Sequence, residues 1–103
     1  MTKIIQENRN NLIRLCTKYK VKSLEIFGSA ISEDSFNFAE SDIDFIVKFL
    51  PLDPIHHAKN YFNLLRDLKN LFKKSIDLVE AGAIKNPYFL ESINKNRQSI
   101  YEA

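Results

Sequence analysis

Between Asp42 and Phe49 apolar side chains fall at every second position, with Ile43, Phe45, Val47 and Phe49 on one side and Asp42, Asp44, Ile46 and Lys48 on the other. Residues two apart along an extended chain share a face, so this run is a strand that turns one face to a core and carries two carboxylates on the other. A helical period does not fit it. Pro51 and Pro54 end the run, since proline has no N–H to give to a sheet ladder.

The remaining elements arrange themselves around that strand. Val21 to Phe27 is short, rich in Val, Leu, Ile and Phe, and stops at Gly28, which reads as an earlier strand. Ser75 to Glu80 alternates again, with Ile76 and Leu78 opposite Asp77 and Val79. Tyr61, Leu64, Leu65, Leu68, Leu71 and Phe72 recur at helical spacing and predict a helix that covers the sheet. Leu12, Leu15, Cys16 and Tyr19 continue a period that starts at Ile5, which predicts one opening helix ending near Lys20. Ser32 to Ser41 is mostly polar and reads as a surface excursion, and Pro87 to about Asn96 reads as a short terminal helix with proline in its first turn. The order helix, strand, loop, strand, helix, strand, helix predicts one α/β (α+β) domain over residues 1–103, a small sheet covered by helices.

Size and charge exclude several functions. A chain of 103 residues, 45% hydrophobic and 27% charged, has room for one core and no second lobe. Its net charge of +2 comes from 15 basic and 13 acidic residues without a block of either sign, so no direct nucleic-acid binding is expected. Lys69, Lys73 and Lys74 read as a solvated helix face. Cys16, without a second cysteine, sits among apolar residues and reads as packing in a protein of the reduced cytoplasm. The opening residues lack the apolar run of a secretory signal, and no stretch is long enough to cross a membrane.

The chemistry concentrates at three places. Asp42 and Asp44, two apart on a strand, have Cα atoms roughly 6.5–7 Å apart on one face, and like charges that close repel. Hard oxygen donors in that arrangement suit Mg²⁺, which keeps several waters and takes phosphate oxygens as further ligands. The plainer alternative is that Asp42 caps the turn at Glu40-Ser41 while Asp44 points outward at a sheet edge. Gly28-Ser29, directly after a strand, can aim backbone N–H groups and a hydroxyl at an anion, although Ser29 alone could be an ordinary helix N-cap. Asp77, on a neighbouring strand, would come within about 5–10 Å of the pair, and by itself would pass for an exposed strand residue. The combination is far rarer than its parts.

Phe27-Gly28-Ser29-Ala30, then Ser41-Asp42-Ile43-Asp44-Phe45-Ile46-Val47, then Ser75-Ile76-Asp77-Leu78-Val79 resembles the minimal nucleotidyltransferase (MNT) domains of the DNA polymerase beta superfamily. The resemblance spans most of the chain and implies their fold, a small mixed sheet covered by helices. It also implies that Gly28 and Ser29 hold a nucleoside triphosphate, that Asp42 and Asp44 bind two Mg²⁺ ions, and that Asp77 is the third catalytic carboxylate and metal ligand. In such a site the ions lie about 3.5–4 Å apart while a substrate hydroxyl attacks the α-phosphate of ATP and pyrophosphate leaves. Stand-alone domains of this kind are typically paired with helical HEPN proteins in toxin-antitoxin systems. The resemblance therefore implies an antitoxin that transfers AMP to a tyrosine of a HEPN toxin, with the acceptor supplied by that partner.

The sequence departs from its relatives in two respects. Many of them carry an Arg shortly after the Gly-Ser pair, where this chain has Ala30, Ile31 and Ser32, and the spacer to Asp42 is slightly longer. The absent Arg motivates an alternative expectation, a weakly active or inactive nucleotide-binding module that neutralises its partner by contact. His56 and His57 read as residues of a helix's first turn rather than as a metal or base site. Asn86, Pro87, Tyr88 and Phe89 read as a tail that faces a partner or seals the core.

Overall fold

The long covering helix shows how local chemistry sets the elements. Asp53 stands at its N-cap and accepts the His56 N–H at 3.2 Å, and Pro54 occupies the first turn, where a missing N–H removes no helical bond. The helix closes at Lys73, which adopts the left-handed conformation (φ 54°) and donates its N–H to the Lys69 carbonyl at 2.9 Å. Lys73 is thus the C-cap of the helix, and it is exposed, as its spacing with Lys69 predicted.

The computed structural model describes residues 2–28, 42–83, 85–88 and 97–103. Along the chain it contains α1 (Lys3–Glu7), α2 (Arg9–Lys18), β1 (Val21–Phe27), β2 (Ile43–Phe49), α3 (Pro54–Phe72), β3 (Ile76–Glu80), a 3₁₀ turn (Ala81–Ala83) and β4 (Gln98–Glu102). The predicted opening helix is two helices. Asn8 breaks it, because its side-chain amide donates to the Ile4 carbonyl at 2.9 Å and competes with the main-chain ladder. Of the predicted terminal helix, Pro87 and Tyr88 are helical and 89–96 lie outside the described residues. The excursion over 32–41 and residue Ser29 lie outside them too.

Among the described residues the sheet runs β3-β2-β1-β4, with β1 antiparallel to both neighbours and β2 parallel to β3. The mixed sheet agrees with the expected fold. β2, α3 and β3 form a crossover in which the helix carries the chain from one end of the sheet back to the other. β4 was not predicted. Only Ile100 of its five residues is buried, and its pairing with β1 shifts register between Leu24 and Glu25, so the main-chain partner defines it more than its own pattern does.

The core lies between the helices and one sheet face. Leu12 and Cys16 of α2, Leu64 and Leu68 of α3, and Leu24, Ile26, Ile43, Phe45 and Val47 of the sheet are all fully buried in it. Phe45 meets Phe72 with ring centroids 6.1 Å apart. Tyr61 fixes the helix to the sheet by donating its hydroxyl to the Leu78 carbonyl at 2.6 Å, and Asn60 donates to the Tyr19 carbonyl at 2.9 Å. Burial also pushes the Cys16 thiol up to about 12, which leaves it protonated and inert, as a packing residue should be.

Candidate nucleotidyl-transfer site

The alternation that sends Ile43, Phe45 and Val47 into the core leaves the other sheet face to Phe27, Asp44, Ile46, Asp77 and Val79. Asp44 is register partner to Asp77 on β3 and to Phe27 on β1. Adjacent strands lie about 4.8 Å apart, so two carboxylates stand side by side. Asp42, just before β2 and on the same face by the two-residue period, is exposed. All three aspartates are thus at the end of the sheet where β2 and β3 begin and β1 finishes.

Asp44 is half-buried, and its carboxyl is raised to about 6, first by burial and then by the negative charges of Asp77 and Asp42. Its neighbourhood explains the burial. Phe27 and Ile46 are themselves covered on this face, packed with Val79 and Ala81. A carboxylate crowded by two others and partly stripped of water is relieved by a cation, which is how these residues fit Mg²⁺. Among the described residues no three His, Cys, Asp or Glu side chains are gathered closely enough to form a finished cage.

Gly28 ends β1 at φ 74°, in the left-handed region, and a Cβ there would lie 2.7 Å from Oδ2 of Asp44. Only glycine leaves the room. The sequence pointed to Gly28 for close approach of a phosphate; the contact with Asp44 depends on strand register and left no signal in the sequence. The histidines lie elsewhere. His56 pairs with Asp53 on the first turn of α3, and His57 pairs with Glu80 at the far end of β3 and approaches Phe49, ring centroids 5.1 Å apart. Cavities of 690 Å³ and 660 Å³ meet at the His57–Glu80 pair, away from the aspartates.

The described site is thus a glycine turn closing on a carboxylate, with a second carboxylate on the parallel neighbour strand. The family model for polymerase beta, nucleotidyltransferase, matches residues 10–103, and the chain belongs to that family. A protein of Methanocaldococcus jannaschii, named "Putative protein adenylyltransferase", is 42% identical over 79 residues, covering 77% of this chain and 76% of its own. A crystal structure of a toxin-antitoxin with AMP-PNP aligns with TM-score 0.68 at 21% identity, over 93% of this chain and 74% of that one. The tri-AMPylated Shewanella oneidensis HEPN toxin in complex with MNT antitoxin aligns with TM-score 0.64 at 21% identity, over 95% and 72%. At that identity the two structures speak for the fold, which is that of a polymerase-beta-like minimal nucleotidyltransferase. The protein is a nucleotidyltransferase.

Proposed function

We propose that this chain is a Mg²⁺-dependent protein adenylyltransferase that moves AMP from ATP to a tyrosine of a helical HEPN toxin and acts as its antitoxin. The observation that carries the reading is the register of Asp44 with Asp77 beneath Gly28, with Asp42 on the same face. The name of the Methanocaldococcus relative supports protein adenylylation, and the partners named in the two aligned complexes support a HEPN toxin and an adenine nucleotide.

In the proposed reaction the tyrosine oxygen forms a bond to the α-phosphorus of ATP while the bond from that phosphorus to the bridging oxygen of the β-phosphate breaks. Pyrophosphate leaves, and the hydroxyl proton passes to water or to Asp77, which is exposed beside Asp44. Gly28 and Ser29 would carry the triphosphate, and Asp42, Asp44 and Asp77 would hold the metal. Bound Mg²⁺ lowers the pKa of the attacking hydroxyl and offsets charge on the triphosphate. Asp44 sits where a poorly hydrated carboxylate binds a cation more strongly than one in open water.

The test is transfer of label from α-labelled ATP to a co-purified HEPN protein with Mg²⁺. Wild-type protein labels its partner, and the Asp42→Asn, Asp44→Asn double variant does not. An intact complex that takes up no label sinks the enzymatic reading and leaves neutralisation by contact.

A further inference from the structure

Ala30, Ile31 and Ser32 put no cation directly after Gly28-Ser29 in the sequence, yet the sheet brings an arginine to the face that carries the aspartates. Ile26 of β1 pairs with Gln98 of β4, and the strands are antiparallel, so Arg97 stands beside Phe27, the register partner of Asp44. Arg97, Phe27, Asp44 and Asp77 thus form one row across the sheet. Two strand spacings separate Arg97 from Asp44, about 9.5 Å between Cα atoms. Lys48, also on this face, is four residues along β2 from Asp44, roughly 13 Å away.

The side chain of Arg97 lies on the site face as well. Its Nε is 2.9 Å from Oε2 of Glu25, which alternates with the fully buried core residues Leu24 and Ile26 and so faces the same way as Phe27. The side chains of Arg97 and Glu25 are 43% and 20% exposed, so water reaches the pair and its partners can exchange.

We propose that Arg97 is a ligand for the β- and γ-phosphates of the nucleotide, parked on Glu25 until the triphosphate arrives. This rests on the nucleotidyl-transfer site proposed above. With the α-phosphate over the aspartates and the rest of the triphosphate on the Gly28 turn, the tail runs from β2 across β1 toward β4, where Arg97 waits. A guanidinium offers a planar fork to phosphate oxygens, and a tail with several negative charges outcompetes the single carboxylate of Glu25. In that position Arg97 also offsets charge that builds on the departing pyrophosphate.

Calorimetric binding of Mg²⁺-pyrophosphate, ATP and AMP to the full chain tests this without any acceptor. Arg97→Ala weakens pyrophosphate and ATP by roughly tenfold, a loss of the size expected of one such contact, and leaves AMP unchanged. Glu25→Gln, which keeps the shape but removes the carboxylate charge that competes for the guanidinium, binds pyrophosphate as well as wild type or better. The proposal is overturned if Arg97→Ala binds pyrophosphate normally, if AMP suffers equally, or if both variants lose affinity alike, as they would were the pair merely structural. Should the alanine variant fail to fold, Arg97→Lys keeps the charge without the fork; a partial loss supports the proposal and unchanged affinity defeats it. Wild-type protein that binds no pyrophosphate defeats it too. Protein whose pyrophosphate affinity depends on Arg97 but which labels no partner defeats the adenylylation reading alone.

Discussion

On one side of β2, Ile43, Phe45 and Val47 are fully buried with residues of α2 and α3; on the other, Asp44 is half-buried and Lys48 exposed, with Ile46 covered between them. The two faces differ in what their burial does. On the core face, apolar area leaves water and stabilises the fold. On the other face, covered Phe27 and Ile46 flank a carboxylate, and its desolvation works against the free protein while sharpening its need for a cation. The second face gives up stability for a charge arrangement, a pattern expected where groups are tuned for chemistry and the one on which the proposed function rests.

The comparison breaks most visibly if the two faces are mutated in turn. Asp42→Asn with Asp44→Asn should lower nucleotidyl transfer by about a thousandfold or more, about 4 kcal/mol of transition-state stabilisation. Its melting temperature, read by circular dichroism without Mg²⁺, should not fall below that of wild type. A large drop in stability would mean that the carboxylates hold the sheet together, and the division between faces would be wrong. Phe45→Ala, one residue from Asp44 but on the core side, should show the reverse. Removing a fully buried ring that meets Phe72 should cost roughly 3–5 kcal/mol in urea unfolding. Transfer per folded molecule should stay close to normal at low temperature.

Gly28→Ala touches both faces' concerns at once. A non-glycine residue held at φ 74° costs about 1–2 kcal/mol, and the new Cβ meets Oδ2 of Asp44 at 2.7 Å, so the carboxylate must move. Transfer should fall by roughly a hundredfold, the scale expected when a reacting group is misplaced by an ångström. If the variant loses stability but transfers normally, the room at Gly28 serves the turn and not the site.

The core face was legible because its period is strict: Ile43, Phe45, Val47 and Phe49 could be assigned to one side from their spacing, and the same spacing put Asp42 and Asp44 on the other. Asp77 on the adjacent strand followed from the alternation of Ile76 and Leu78. The direction of pairing did not, because a strand reads alike whether its neighbour is parallel or antiparallel, and so the direct register of Asp44 with Asp77 could not be foreseen. β4 escaped because Gln98, Ser99 and Glu102 carry no apolar rhythm, and with it went the position of Arg97. Asn8 split a helix whose apolar spacing continues on either side of it, a case where a side-chain hydrogen bond outweighs hydrophobic period.

The smallest effect isolates the electrostatic part of the difference between the faces. An aspartate in the unfolded chain titrates near roughly 3.9. Asp44 in the folded protein titrates at about 6, raised by burial and by Asp77 and Asp42. Between these values the folded state holds a proton that the unfolded state has released. Stability from Asp44 is therefore fully present below the lower value and is lost as the pH rises through the upper one. Asp44→Asn removes the charge that causes this loss. In thermal melts with chelator the variant should unfold a few degrees above wild type at pH 7, no more, because solvent screens a half-exposed group. The gap should narrow as the pH falls through about 6 and close near pH 4. Mg²⁺ should raise the wild-type melting temperature at pH 7 and the variant's less, since the cation relieves a repulsion that asparagine has already lifted. A gap that stays constant from pH 4 to pH 8 would show that asparagine stabilises through shape or hydrogen bonding, and that the carboxylate face is not under the electrostatic strain that separates it from the core face.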